Sequence, residues 1–323
     1  MCGIAGVITK TGARDLAQEL SILDRALAHR GPDGFGFLGW RPGGEARIAV
    51  SPDALEPSKV GFAHRRLAII DIGETGAQPM LSADGRFAIT YNGEVYNYLE
   101  IRADLEKEGV AFRTRSDTEV VLEAWARWGE SCLTRFNGMF AFAILDLRKR
   151  RVYLARDPFG IKPLYLARTR RGELVFASEI PAILALPDIE RRVCAKSLAA
   201  YLSTGASDRD GRTMVASINA VRPASVVTVS LDDDLATTER VYWRLRARTE
   251  RGLGLADAAE ALREAFLANV ALHLRSDVPV GAALSGGIDS SSIVAAMRRI
   301  GGSELEIHAF CFASSDAAMN EER

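Results

Sequence analysis

The chain has 323 residues, too many for one small core and enough for two domains. Hydrophobic residues make up 48% and charged residues 26%, an ordinary globular composition. With 41 Lys+Arg against 42 Asp+Glu the formal net charge is -1, which argues against bulk attraction to nucleic acid or an anionic membrane.

No run of 18 apolar residues suggests a membrane span, and Lys10, Arg14 and Asp15 follow too soon after the start for a signal peptide. The cysteines, at 2, 132, 194 and 311, have no CxxC spacing, so a reducing cytoplasm is expected. The histidines, at 29, 64, 273 and 308, have no HExxH pattern and suggest no zinc site.

The chain opens Met1-Cys2-Gly3-Ile4-Ala5-Gly6-Val7. A small second residue favours removal of the initiator Met, leaving Cys2 with a thiol and a free α-amine. With a reference pKa near 8, that amine can serve as the base for its own thiol. A buried cysteine in an N-terminal strand is the plain alternative. Residues 3–9 read as that strand, and 16–28 carry leucines at helical spacing. His29-Arg30-Gly31-Pro32-Asp33-Gly34 reads as a structural turn. Residues 61–71 form a strand carrying Arg65 and Arg66. Such an arginine suits a planar carboxylate partner, although for Arg65 a surface position is expected.

Residues 87–91 read as a strand running into Asn92-Gly93-Glu94, either a turn or a strand-to-helix junction. Such a turn can aim the Asn amide and the Gly N–H in one direction, as an oxyanion hole requires. Ser116 and Glu119 form a capping-box pattern at a helix start, where Asp117 is either a dipole-favoured acid or a receiver for a ligand ammonium. Strands follow at 139–147, 151–156, 162–166 and 174–177, with Asp157-Pro158-Phe159-Gly160 as a turn. Many strands without regular βαβ alternation predict a layered sheet-plus-helix domain.

Residues 187–256 read as linker and peripheral strands. From Asp257 a helix of about 17–20 residues is expected from its apolar spacing, then a strand at 278–284 feeding Ser285-Gly286-Gly287-Ile288-Asp289-Ser290-Ser291 and a helix over 292–300. A strand, a Ser/Gly turn and a helix start form an anion cradle. No lysine closes it as in GxxxxGKS/T, so a pyrophosphate-like anion is expected, with Asp289 as a candidate Mg²⁺ ligand. Residues 305–312 read as the next parallel strand.

Together these segments resemble the glutamine-dependent asparagine synthetase family. The resemblance rests on the opening Cys2-Gly3-Ile4-Ala5-Gly6, the 29–33 turn, 66–71, Tyr91-Asn92-Gly93-Glu94-Val95-Tyr96-Asn97, 116–119, the run from Arg156 to Tyr165, and 285–291. It implies an α+β fold: an N-terminal-nucleophile αββα sandwich over 2–186, the 187–256 linker, and over 257–323 a truncated α/β ATP-pyrophosphatase domain of the adenine-nucleotide alpha hydrolase type. It implies Cys2 as glutaminase nucleophile, Asn92 and Gly93 as oxyanion hole, Arg66 on the glutamine α-carboxylate, and Glu94 and Asp117 on its amino end. In the second domain it implies Ser285, Gly286, Gly287, Asp289 and Ser290 around ATP with Mg²⁺, aspartate as acceptor, and internal transfer of ammonia. Family members are often dimeric, which leaves a homodimer open.

In the family the synthetase domain extends well beyond this point, and Asn320-Glu321 stands where an Asp-Glu pair is usual. The chain is therefore expected to retain glutaminase chemistry more readily than synthesis. Readings that aminate another carboxylate, or hydrolyse glutamine without synthesis, also stand at this point.

Overall fold

The computed structural model describes residues 1–206, 209–247, 252 and 254–313, so the Asn320-Glu321 comparison lies outside the described residues. Two compact units divide the chain, Met1–Leu245 and Arg246–Arg323.

The first unit contains β1 (Gly3–Ile8), α1 (Ala17–Leu27), β2 (Gly34–Trp40), β3 (Arg47–Ala49), β4 (Val60–Arg66), β5 (Met80–Leu81) and β6 (Phe87–Val95). It continues with α2 (Tyr98–Lys107), α3 (Asp117–Trp128), β7 (Gly138–Asp146), β8 (Arg151–Arg156), β9 (Tyr165–Arg168), β10 (Leu174–Ala177) and α4 (Ile180–Leu184). Then come α5 (Ala195–Thr204), β11 (Ile218–Ala220), β12 (Ser225–Ser230) and β13 (Thr237–Val241). One sheet has the order β11-β9-β10-β1-β4-β2-β3 and the other β13-β12-β8-β7-β6-β5. The named strands of both sheets pair antiparallel throughout.

Side-chain alternation sorts the core into three layers. In β7, Phe140, Phe142 and Ile144 pack with Val120, Val121 and Trp125 of α3. The alternate residues Ala141, Ala143 and Leu145 pack with Ile4, Ile8 and Phe62 of the facing sheet. In β1, Ala5 and Val7 turn instead to Leu20, Leu23 and Leu27 of α1 and to Ala182 and Ile183 of α4. Helices outside two packed sheets make the αββα sandwich. A strand covered on both faces has no polar side to show, which is why 139–145 reads as an unbroken apolar run.

Two local expectations differ from the structure. Asn92 and Gly93 lie inside β6, paired with Ala141 and Phe140 of β7, not in a turn or junction. The Asn-Gly preference for turns yields because Gly93 meets a tight neighbour: a Cβ there would stand 2.5 Å from the Met139 carbonyl oxygen. The Ser116 cap accepts from Thr118 N rather than from the N3 amide, and Glu119 reaches back past it to the backbone N–H groups of Arg113 and Thr114. Ser178 exchanges hydrogen bonds with the Ile4 backbone. The strands of the 187–256 stretch pair into the first unit: β11 on β9, and β12 on β8.

The second unit has α6 (Leu255–His273), β14 (Gly281–Ala283), α7 (Ile288–Gly301) and β15 (His308–Phe310). β14 and β15 pair parallel, and Val270, Ala296 and Met297 form the small core. α6 starts at a Gly254 cap rather than at Asp257, and α7 starts at Ile288, which puts Asp289, Ser290 and Ser291 in its first turn.

Gly6 explains a packing detail of the middle layer. It pairs with Phe176 on one side and Phe62 on the other, and these rings meet edge to face at 5.5 Å. A Cβ on Gly6 would stand 2.5 Å from the Phe176 ring and 2.8 Å from the Gly61 carbonyl oxygen. Gly6→Ala is expected to destabilise the first unit by about 1–3 kcal/mol, measured as a lower denaturation midpoint in urea with an unchanged slope.

Candidate active site

The middle layer turns polar at one end. Phe62 and His64 share one face of β4 with Arg66, and Ala88 and Thr90 share one face of β6 with Asn92. Beyond them opens a cleft whose lining includes Cys2, Arg66, Asn92, Gly93, Glu94 and Asp117. All six glutaminase-site residues expected from the sequence thus come together. Ser285, Gly286, Gly287, Asp289 and Ser290 lie in the second unit.

Cys2 precedes β1. Leu67 N–H donates to its Sγ at 3.4 Å, and the thiol donates to the Leu67 carbonyl at 3.6 Å. The buried Arg30 donates from Nε to the Cys2 carbonyl at 2.9 Å and from Nη1 to Glu179 at 2.7 Å. Gly31 permits this clamp, because any side chain there would collide with the Arg65–Arg66 backbone. Asp33 then accepts from Ala68 N at 2.9 Å. The 29–33 turn, read as merely structural, therefore grips the residues on both sides of the thiol. Burial pushes the Cys2 thiol up from its ordinary value, opposed by the Leu67 N–H and the N-terminal ammonium. Burial likewise holds the terminal amine, here on Met1, below its ordinary value.

Arg66 donates to the Gly73 carbonyl at 2.6 Å and to the Asp71 carbonyl, so the same guanidinium that lines the cleft organises its 70–76 rim. Arg65, expected at the surface, pairs through two contacts of 2.5 Å with Asp24 under α1. Asp117 is buried at the start of α3. Its Oδ2 accepts from Tyr91 Oη at 2.8 Å and Val95 N at 3.1 Å. Burial pushes its carboxyl up to about 6 despite these bonds.

Asn92 is fully buried, and its Oδ1 and Nδ2 both lack a hydrogen-bond partner. Leaving an amide unpaired costs about 1–3 kcal/mol, so its retention beside the cleft points to a partner that arrives with substrate. Gln78, Tyr91, Thr118 and Lys162 also line the cleft and went unnoticed in the sequence. Tyr91, Thr118 and Lys162 fall within the family-like runs 91–97, 116–119 and 156–165; Gln78 lies in none of them and earns its place by accepting from Tyr91 N at 2.7 Å.

In the second unit, Gly286 adopts φ 74°, which favours glycine. Ser285 N donates to Ser290 Oγ at 3.2 Å, and that hydroxyl donates to the Gly287 carbonyl at 3.2 Å. The turn is stapled onto the start of α7, whose first N–H groups have no intrahelical acceptors. Among the described residues no three His, Cys, Asp or Glu cluster as a metal cage. Nor is any helix there long and apolar enough to cross a membrane.

The acid dependence of stability carries two opposing contributions. Asp117, raised to about 6, favours the fold while protonated; this contribution is full below the ordinary carboxylate range and is lost as pH climbs to 6. His64, buried with Nδ1 3.0 Å from Thr90 Oγ1, is held down to about 3 by burial and then by Arg66. Its contribution is full above its ordinary 6.5 and is lost as pH falls towards 3. Between pH 4 and 6 the slopes offset. Asp117→Asn is expected to expose the His64 slope, up to about 1.4 kcal/mol per pH unit lost on acidification, in urea titrations at several pH values. A variant that keeps the parent's pH dependence contradicts this assignment.

A family profile described as "Glutamine amidotransferase domain" matches residues 1–243, and one described as "Asparagine synthase" matches 261–323. Asparagine synthetase [glutamine-hydrolyzing] 1 of Bacillus subtilis is 37% identical over 301 residues, 91% of this chain and 43% of that protein. Asparagine synthetase [glutamine-hydrolyzing] 2 of the same organism is 34% identical over 335 residues, spanning 100% of this chain and 41% of that protein. The chain thus spans under half the length of these relatives. Among solved structures, the glutamine phosphoribosylpyrophosphate amidotransferase of B. subtilis superposes with a TM-score of 0.56 at 19% identity, covering 96% of this chain and 65% of that one. That likeness shows the N-terminal-nucleophile amidotransferase fold. The chain belongs to the glutamine-dependent asparagine synthetase family, with a glutamine amidotransferase domain over its first three quarters and asparagine synthase sequence after it.

Proposed function

We propose that the first unit hydrolyses glutamine at Cys2 and that the ammonia serves an ATP-dependent amide synthesis of the asparagine synthetase type. The observation that carries the reading is the buried, unpartnered Asn92 amide in the same cleft as Cys2.

Once Met1 is removed, the Cys2 amine takes the thiol proton and the sulfur attacks the glutamine side-chain carbonyl. The developing oxyanion accepts from Asn92 Nδ2 and the Gly93 N–H, which removes the cost of the orphaned amide in the transition state. Collapse breaks the C–N bond, with the amine returning its proton to the leaving ammonia. Water then cleaves the thioester, giving glutamate and the thiol. Arg66 holds the α-carboxylate, while Glu94 and Asp117 hold the α-ammonium, so contacts remote from the reacting bond orient it.

In the second unit the residues suit a nucleotide. Helix-start N–H groups and a serine-stapled glycine turn fit a pyrophosphate, held by Ser285, Gly286, Gly287 and Ser290. Asp289, one carboxylate in the first turn of α7, fits Mg²⁺, which commonly takes one or two carboxylates and completes its shell with phosphate and water. ATP would transfer its adenylyl group to the acceptor carboxylate with release of pyrophosphate; for the asparagine synthetase reading this is the β-carboxylate of aspartate, and ammonia would then displace AMP to form the amide. The domain assignment is a glutaminase over 2–186, connecting strands over 187–256 and synthetase sequence over 257–323. The cysteine spacing suits a reducing cytoplasm, and the family resemblance leaves a homodimer open.

Glutamate release tests the reading. Cys2→Ala is expected to abolish it, and Asn92→Ala to lower kcat by about 10²–10³ with a small change in KM. Mass analysis is expected to find Met1 absent from the active protein. Undiminished glutamate release from Cys2→Ala overturns the proposal.

A further inference from the structure

The run from Arg156 to Pro163 belongs to the most distinctive sequence of the first unit, yet no role in the proposed chemistry falls to it. Its structure is a rigid bracket. Asp157 is fully buried, and its carboxylate accepts four backbone N–H groups: Phe159 at 3.0 Å and Ile161 at 2.9 Å on Oδ1, Lys162 at 2.9 Å and Phe140 at 3.3 Å on Oδ2. Arg156 donates to the carbonyls of Lys162 at 2.8 Å, Gly160 at 2.7 Å and Val221 at 2.8 Å. Gly160 turns the chain at φ 66°, where a Cβ would stand 2.8 Å from Pro223. Seven hydrogen bonds thus fix one short turn between β8 and β9.

What the bracket delivers is Lys162. This lysine is only 5% exposed and lines the cleft beside Met1 and Cys2. Burying a lysine side chain costs its solvation, and a surface turn has no need of it. The groups that face it across the cleft include the thiol, the terminal amine, Arg66, Glu94 and Asp117.

Resting on the glutaminase reading above, we infer that Lys162 is a charge-setting residue of the same site: its fixed cation favours the neutral N-terminal amine and the Cys2 thiolate over their protonated forms. The electrostatics agree in sign. Burial dominates both groups, lowering the terminal amine where it stands on Met1, one residue before Cys2, and raising the Cys2 thiol, and on each Lys162 acts to release the proton. The cation therefore adds to burial at the base and offsets it at the nucleophile.

The test uses the whole chain with Lys162→Gln, Lys162→Met and Lys162→Arg, reading kcat/KM for glutamine hydrolysis against pH and, separately, the pH dependence of Cys2 alkylation by iodoacetamide. Both neutral variants are expected to move the acid limb of each profile upward by about one pH unit, and kcat/KM near neutral pH to fall about tenfold. Lys162→Arg is expected to restore the parent limb. Unmoved limbs in a folded neutral variant overturn the inference, whether or not the rate falls, since a purely structural lysine lowers rate without moving them. Should both neutral variants unfold, Lys162→Arg decides: a displaced limb with the charge kept also overturns it. Hydrolysis that survives Cys2→Ala would instead sink the underlying reading, so the two failures are separate.

Discussion

The first residues of a chain are ordinarily its loosest. Here they form the central strand of a seven-stranded sheet, β1 lying fourth in the order between β10 and β4. Everything proposed for the site depends on that placement. A nucleophile that also supplies the base must stand at the very end of the chain, and a frayed end could not hold its sulfur to a reacting carbonyl. The ladder fixes Gly3 opposite Arg65, and Arg30, Leu67 and Ser178 tie down the residues on either side of it. Cys2, Gly3 and Ile4 are thus tied into the sheet, while the terminal amine on Met1 lies along the cleft.

The second consequence is a gradient within one layer. The space between the sheets is filled by Ile4, Ile8, Phe62 and Leu145, then admits His64 and Thr90, then ends in Cys2, Asn92 and Arg66. The period of two along each strand aims all of these at one interior, so the core and the cleft are successive stretches of the same packing pattern. A charged His64 would be costly at this depth, and burial keeps it neutral. The polar end of the layer therefore acquires its low-dielectric floor from the apolar end, which strengthens any hydrogen bond that forms there.

Much of this was legible in the chain because short-range constraints leave strong marks. The apolar run over 139–147 announced a strand, and the spacing of the leucines over 16–28 announced a helix. Cys2, Arg66, Asn92, Glu94 and Asp117 were legible as a set only through the family resemblance, since they come from four segments that nothing in local spacing connects. Asn92-Gly93 misled as a turn because the backbone approach of Met139 that requires glycine there is a long-range contact. Arg65 misled because its partner Asp24 lies on α1, forty-one residues earlier in the chain. Gln78 carries no motif; its role arises from cross-segment hydrogen bonds, accepting from Tyr91 N and donating to Thr118 Oγ1.

The charges of the cleft also explain why the reacting end and the gripping end can share one small space. Glutamine is a zwitterion at one end and a neutral amide at the other. In the proposed site Arg66, Glu94 and Asp117 would offer both signs to the zwitterion, but fixed charges of both signs close to a thiol would by themselves leave its protonation nearly unchanged. The acids even oppose loss of the protons, since Asp117 acts to raise the thiol and Glu94 to raise the terminal amine. A site built only to grip glutamine would therefore weaken its own nucleophile. A cation held on a separate, rigid turn lets the two demands be set independently, and the bracket around Lys162 is the part of the fold that supplies it.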